Sequence, residues 1–518
     1  MLIPRPRSAD SGAGAFTLNA GTRVYAPDAP EVADLLRELL GPATGLALEA
    51  APFPGPNVIS LLCTVRQPPE AEGYRLSVKP TGIVAAAAGP TGLRWAVQAL
   101  RQLMPPEVYS PAPVAAVAWT VAGAEIRDAP RFGWRGLMLD VARWYKPIGW
   151  LRSMVDLVAM HRMNILHLHL TDDQGWRFEV RRHPRLTEVG AYRRESPLGH
   201  AKDGVGDGRP HGGFYPQAEL RGLVAYAARR GVTVVPEIDL PGHTQAAIAA
   251  YPELGNRPDL PAEVWTDFGV SRRVLNVEDS TVAFFRDVLD EVIDVFPAPW
   301  IHLGGDEVPV DEWAASADAR RRMVRLGLAG PERLLGWWVD QMAAHVRARG
   351  RRAVVWDELV GQVPPETIVM AWRGEEQVAK ALRAGHDVVA TPHTRTYLNY
   401  PAADGDGEPL SIASRPSTVF HGPLTLAQIH AYEPVPASAP PEPGPSVLGL
   451  QGNLWTEYAA TPDRAEYDLM PRLAAIAEVG WGVQGGVEGV EAALGRHLHR
   501  LDAAGIGYRA TRRITIGQ

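Results

Sequence analysis

Trp300-Ile-His-Leu-Gly-Gly-Asp-Glu-Val-Pro-Val-Asp-Glu-Trp313 decides how the rest of the chain reads. Its first residues, Trp300 to Leu303, form a short apolar run that predicts a buried strand. Gly304 and Gly305 end that strand, because glycine accepts backbone angles that a side chain forbids. Asp306 and Glu307 follow, and Pro309 stops further ladder pairing. Two acids at the mouth of a buried strand cost desolvation and mutual repulsion. Most such pairs are exposed turn residues, so the reading depends on what else reaches the same place.

Apolar runs alternate with helical patterns from Arg131 onward. Strands are predicted at Gly136–Val141, Ile165–Leu170, Thr233–Glu237, Trp300–Leu303, Ala353–Trp356, Thr367–Trp372, Asp387–Ala390 and Val447–Gln451. Helices are predicted at Gly149–Met160, Ala218–Arg230, Val282–Val295, Pro331–Arg349 and Glu375–Ala384. Strand–helix alternation implies a parallel sheet. Eight such strands fit a closed (β/α)8 barrel of the TIM type. An open doubly wound sheet is the alternative, but no Gly-rich phosphate fingerprint follows the first strand. Nearly every predicted strand ends in polar or aromatic residues: Asp140 and Arg143, Asp172, Glu237 to His243, Asp306 and Glu307, Trp356 to Glu358, Trp372, Tyr397 to Asn399, and Gln451 to Glu457. In a barrel these ends share one face, the one that carries the active site.

The rest of the chain bounds the answer. A length of 518 residues predicts two domains, a small N-terminal α/β domain over 1–128 and the barrel over 129–518. In the first, Glu31–Leu40 and Pro90–Leu103 have helical spacing, the second with Leu93, Val97, Leu100 and Leu103 on one face. Asn57–Val65, Tyr74–Val78 and Ala112–Val121 are expected strands, and Pro434 to Pro445 an exposed loop. A net charge of −7, with no basic run, argues against nucleic-acid binding. The single cysteine, Cys63, excludes a disulfide framework within the chain. No run approaches a membrane span, and the N-terminus lacks the apolar core of a secretory signal, which points to a cytoplasmic protein without a membrane partner.

The predicted rim is rich in carboxylates and tryptophan. Flat aromatic faces pack against sugar C–H groups, and carboxylates and Arg give directed hydrogen bonds to hydroxyls. Trp356, Trp372 and Trp455 could wall one pocket. Glycoside hydrolysis needs a protonated carboxyl at the leaving oxygen and something anionic near the anomeric carbon. Adjacent strand residues point to opposite faces, so Asp306 and Glu307 flank a bond only if the chain turns at Gly304-Gly305. A substrate that carries its own nucleophile, a 2-acetamido group, removes that difficulty. His167 and His169 share a strand face. With His243 and Asp306 they offer a metal reading of the amidohydrolase kind, but carboxylates and tryptophans outnumber histidines at the rim, and no metal or cofactor is expected.

Five stretches carry a resemblance: Arg135-Gly-Leu-Met-Leu-Asp-Val-Ala-Arg143, Met163 to Trp176, Val235-Pro-Glu-Ile-Asp-Leu-Pro-Gly-His243, His302-Leu-Gly-Gly-Asp-Glu-Val308 and Leu454-Trp-Thr-Glu457. They are similar to glycoside hydrolase family 20, the β-N-acetylhexosaminidases, and Glu72 to Leu103 resembles that family's small N-terminal domain. The family is a known substrate-assisted exception to the two-carboxylate rule. The resemblance implies Glu307 as general acid and then base, and Asp306 as the residue that holds the acetamido nitrogen. It implies that Tyr397 bonds the acetamido carbonyl and that Trp356, Trp372 and Trp455 enclose the methyl and the ring. Arg143 and Glu457 would bind ring hydroxyls, and Asp172 with His243 would form a relay towards Glu307. The expected reaction is exo-acting removal of terminal GlcNAc or GalNAc with retention, by a monomer or homodimer acting on carbohydrate. The alternatives are a disaccharide-releasing, lacto-N-biosidase-like variant or a non-catalytic sugar-binding relative. Two departures stand out. Asn399 stands where the family commonly has Asp, which keeps an acceptor, loses the charge and gains a donor at the substrate's C4 to C6 edge. Glu408 to Phe420 holds no Trp where relatives often place one, leaving Phe420 as the candidate to fill that place.

Overall fold

The computed structural model describes residues 1–64, 71–403, 408–411, 422–440, 444–482 and 485–510. The N-terminal unit contains β1 (Ser8–Thr17), β2 (Arg23–Tyr25), α1 (Pro30–Thr44), β3 (Val58–Cys63), β4 (Tyr74–Lys79), β5 (Gly82–Ala87), α2 (Pro90–Leu103) and β6 (Thr120–Asp128). Its strands form one mixed sheet in the order β1-β6-β4-β5-β3-β2. Alternation sets which face is covered: Tyr74, Leu76 and Val78 of β4 are buried, and the residues between them are not. Proline at the first turn starts both helices, and a left-handed Gly45 (φ 68°) stops α1. On α2, Leu93, Val97 and Leu100 are buried, while Leu103 at the helix end is only partly covered.

One expected strand is wrong. Ala112–Val121 does not form one; the strand starts at Thr120 and runs to Asp128. Pro111 and Pro113 offer no N–H to a ladder, and Ala116 takes a positive φ of 63°. Besides the three-residue β2, two strands of this unit were not anticipated, β1 and β5. Their Gly- and Ala-rich sequences show little apolar alternation, and pairing rather than pattern makes them strands.

The second unit is the barrel: β7 (Trp134–Asp140), α3 (Ile148–Met160), β8 (Ile165–His169), α4 (Gln217–Arg229), β9 (Thr233–Glu237), α5 (Asp279–Val295), β10 (Trp300–His302), α6 (Glu332–Ala348), β11 (Arg352–Trp356), β12 (Ile368–Ala371), α7 (Glu375–Arg383), β13 (Val388–Ala390), β14 (Val447–Leu454) and α8 (Arg472–Trp481). Eight parallel strands close in the order β9-β10-β11-β12-β13-β14-β7-β8, as the strand–helix alternation predicts. Their register matters for the site. Asp140 pairs with His169, His169 with Glu237, and Glu237 with His302. One level of the barrel, at the C-terminal strand ends, therefore carries four polar residues, all buried.

The small unit sits against the opposite, N-terminal end of the barrel. Arg135, at the start of β7, pairs with Glu72 at 2.6 Å. Arg162, just before β8, donates to the Tyr74 hydroxyl at 2.7 Å. The Trp481 indole donates to Asp128 Oδ1 at 2.7 Å. No helix among the described residues is long and apolar enough to cross a membrane.

Candidate active site

Strand β10 stops at His302, and Gly304 (φ 67°) and Gly305 (φ 96°) turn the chain away. Glycine is required at both. A Cβ on residue 304 would lie 1.7 Å from Asp239 Oδ1, and one on residue 305 would lie 2.5 Å from Leu359 Cδ1. The Gly305 N–H donates to Asp239 Oδ1 at 3.0 Å, which fixes the turn from the end of β9. Glu307 itself takes φ 50°, a left-handed conformation that is rare outside glycine and clusters at functional sites. The turn defeats strand alternation. Asp306 and Glu307 both approach His243, whose Nε2 lies 3.8 Å from Asp306 Oδ2 and 3.7 Å from Glu307 Oε2. Their surroundings differ: the Asp306 side chain is 11% exposed and that of Glu307 44%.

Arg143, Asp306, Glu307, Trp356, Trp372, Tyr397, Asn399, Trp455 and Glu457 line one pocket. All nine come from strand ends or the segments after them, so the closed barrel brings them together from across the chain. The Trp372 and Tyr397 rings are near parallel (12°) with centroids 6.2 Å apart, and Trp356 lies 6.0 Å from Trp455. The Arg143 guanidinium sits over Trp455, 5.2 Å from the ring centre. Asp306 Oδ1 and Asn399 Oδ1 are buried acceptors that no donor among the described residues reaches. Burial, and then Asp239, pushes the Asp306 carboxyl well above the usual carboxylate range, with His243 opposing. Burial likewise raises Glu457, against the pull of Arg143. Glu358 is pushed up to about 8 by burial, then by Asp306 and Asp357, and its carboxyl group accepts the Trp372 indole N–H, which lies 3.2 Å from both oxygens.

Asp172 and His243 do not line the pocket; they lie behind it. His243 Nδ1 is 3.1 Å from Asp172 Oδ1 and 3.3 Å from Asp173 Oδ2. The second Asp172 oxygen lies 2.8 Å from Arg143 and 3.0 Å from His169 Nε2. The other His169 nitrogen is 2.6 Å from Glu237 Oε2. Burial alone would raise the Asp172 carboxyl, but Arg143 and His243 hold it far below the usual range. Burial opposes a charged His169, but Glu237 and Asp172 raise it well above the histidine range, so it sits as an imidazolium between two carboxylates. His167, Glu237 and His302, and also Asp239, His243 and Asp306, are close enough to share a cation. A third such group, His169, Glu237 and Asp239, includes an imidazole whose two nitrogens already face the carboxylates of Glu237 and Asp172.

Two acidic residues named at the strand ends but given no role deserve one. Glu237 lies under the pocket and holds Trp356 by its indole N–H at 2.9 Å, and Glu358 does the same for Trp372. The sequence placed both at the rim, Glu237 as the last residue of β9 and Glu358 two residues past β11, but held no signal for the tryptophan each one meets. Phe420 falls outside the described residues.

Comparison with known proteins identifies the family. The glycosyl hydrolase family 20 catalytic domain matches residues 132–484, and the same family's domain 2 matches residues 1–129. A β-N-acetylhexosaminidase from Cellulomonas fimi is 33% identical over 93% of this chain and 89% of its own length. A β-hexosaminidase from Porphyromonas gingivalis is 37% identical over 93% of this chain, which spans 60% of that relative's length. Among solved structures, the family 20 β-N-acetylhexosaminidase of Streptomyces coelicolor A3(2) superposes with a TM-score of 0.85 at 30% identity, covering 99% of this chain and 98% of that one. A Streptomyces plicatus β-hexosaminidase variant in complex with its product GlcNAc gives 0.84 at 31% identity, covering 99% and 97%. The chain belongs to glycosyl hydrolase family 20 and is a glycoside hydrolase, with the family's domain 2 and catalytic domain in that order.

Proposed function

We propose that the protein is an exo-acting, retaining β-N-acetylhexosaminidase that uses the substrate's own acetamido group as nucleophile. The observation that carries this reading is the unlike placement of two adjacent acids at one pocket. Asp306 is buried with an oxygen short of a donor, and Glu307 is half exposed at the same mouth. The acetamido N–H is the donor that Asp306 Oδ1 lacks, and the Tyr397 hydroxyl bonds the carbonyl oxygen. That oxygen attacks the anomeric carbon as the glycosidic C–O bond breaks, and Glu307 gives its proton to the leaving oxygen. The product of this step is an oxazolinium ion, whose positive charge Asp306 faces. Glu307, now a carboxylate, takes a proton from water as the water oxygen attacks the same carbon from the vacated side. The ring opens, the acetamido group is restored, and two inversions give net retention. Trp356, Trp372 and Trp455 enclose the methyl and the sugar face, while Arg143, Asn399 and Glu457 receive the ring hydroxyls. His243, held by Asp172, adjusts the charge around Glu307 during both proton transfers.

The test uses p-nitrophenyl N-acetyl-β-glucosaminide and its N-trifluoroacetyl analogue, whose carbonyl is a poor nucleophile. Wild type should cleave the first and be strongly slowed on the second. Glu307→Gln should lower kcat about 10²–10⁴-fold, the usual worth of a positioned proton donor. Equal rates on the two substrates would remove substrate assistance, and no release from the first would remove the hexosaminidase reading altogether.

A further inference from the structure

Trp356 forms a wall of the pocket, but what sets its ring lies beneath the floor. Glu237 ends β9 with no exposed surface. One of its oxygens accepts the Trp356 indole N–H at 2.9 Å, and the other accepts His169 Nδ1 at 2.6 Å. His169 leads on to Asp172 and Arg143, so the carboxylate is neutralised without a contact to solvent. Burial would raise Glu237, but the His302 and His169 rings hold it well below the carboxylate range, so it stays ionised. A hydrogen bond to an ionised acceptor is about twice as strong as a neutral one. An indole N–H left without an acceptor in this dry layer costs about 1–3 kcal/mol. The ring is therefore held at a fixed tilt against its neighbours, with His302 4.7 Å and Trp455 6.0 Å away between ring centres.

We propose that Glu237 is a positioning residue for acyl-group recognition: through its hydrogen bond to Trp356 it fixes the depth of the slot that receives the 2-acylamido group, and so selects N-acetyl over longer N-acyl substrates. The proposal rests on the hexosaminidase reading above. Discrimination by one methylene in an apolar slot is worth about 10–200-fold only when the wall cannot yield. One wall here, beside those of Trp372 and Trp455, is the Trp356 indole, and its rigidity depends on a carboxylate that touches no substrate.

The experiment compares kcat/KM for p-nitrophenyl 2-acetamido- and 2-propionamido-2-deoxy-β-glucosides. Wild type should favour the acetyl compound at least tenfold. Glu237→Gln, checked for folding by its thermal transition, should lower that ratio at least fivefold, mainly by losing activity on the acetyl compound. Trp356→Phe keeps an aromatic wall but has no N–H. It should lower the ratio to a similar extent, and the double variant should lower it no further. An unchanged ratio in Glu237→Gln, whatever its total activity, overturns the proposal. Should Glu237→Gln fail to fold, an unchanged ratio in Trp356→Phe does the same. A wild type that cleaves the acetyl compound and shows no preference overturns this proposal alone. A wild type inactive on both overturns the hexosaminidase reading as well.

Discussion

The carboxyls around this pocket differ in what titrates them, and Glu358 shows it most directly. Its ordinary value is 4.5, and burial, then Asp306 and Asp357, push it up to about 8. Between those values the native chain holds a proton that the unfolded chain has released. Its contribution to stability is therefore complete below pH 4.5 and is lost as pH rises through 8. At about 1.4 kcal/mol per pH unit, that window bounds the loss at about 5 kcal/mol. Thermal unfolding from pH 5 to 8.5 should show a falling Tm in wild type and a flatter course in Glu358→Gln, which carries no proton to lose. Parallel curves would mean that Glu358 is already ionised in the folded protein. At this scale the sequence was legible where a polar residue ends an apolar run at the rim, as with Asp306, Glu307 and Glu457. It was not legible for Glu237, which ends β9, and Glu358, which lies just past β11, because both act through a tryptophan. Nothing in sequence spacing distinguishes a carboxylate that meets substrate from one that meets an indole.

Among the elements, the turn after β10 bears the most constraint. Gly304 lies at φ 67° with Asp239 where a side chain would go. Gly304→Ala should lose at least about 2 kcal/mol in urea unfolding, from backbone strain and the displaced Asp239 together. It should also lower kcat, because Asp306 and Glu307 swing with the turn. A loss of stability with kcat intact would separate the turn from the chemistry. The segments after β7 and β14 are stitched in a similar way: the Lys146 ammonium donates to the Ala459 and Ala460 carbonyls at 2.7 and 2.9 Å, and the Trp144 indole donates to the Glu457 carbonyl at 3.0 Å. Burial brings Lys146 down to about 7, with Asp140 opposing. The barrel strands were readable because a parallel strand buried on both faces is a continuous apolar run, as Ile368–Ala371 shows. Ser8–Thr17 was not, because its partner strand, Thr120–Asp128, lies far away in sequence, and Gly82–Ala87 was not, because its Gly- and Ala-rich run lacks an apolar pattern although it forms a hairpin with Tyr74–Lys79. The tie from Lys146 to residues over three hundred positions away is a product of barrel closure, which no local pattern encodes.

The molecule as a whole is two units joined by buried polar contacts. Asp128 accepts from Tyr74 at 2.8 Å and from Trp481 at 2.7 Å, and lies 3.4 Å from the buried Arg162 guanidinium. Removing the carboxylate strands that cation, which costs about 3–5 kcal/mol. Asp128→Ala should lower the Tm clearly while leaving KM unchanged in the folded fraction, and calorimetry should still show one transition, because neither unit can bury its share of this network alone. Two separated transitions would mean that the units are independent. The distance between this seam and the rim has a genetic consequence. Random missense changes should fall into two phenotypic classes. Those near Arg135, Arg162 and Asp128 should be conditional, normal at low temperature and lost at high. Those at Asp306, Glu307 and Tyr397 themselves should be null at every temperature, with full-length protein still accumulating in the cell. A collection sorted by growth temperature would then map the two ends of the barrel without any further structure.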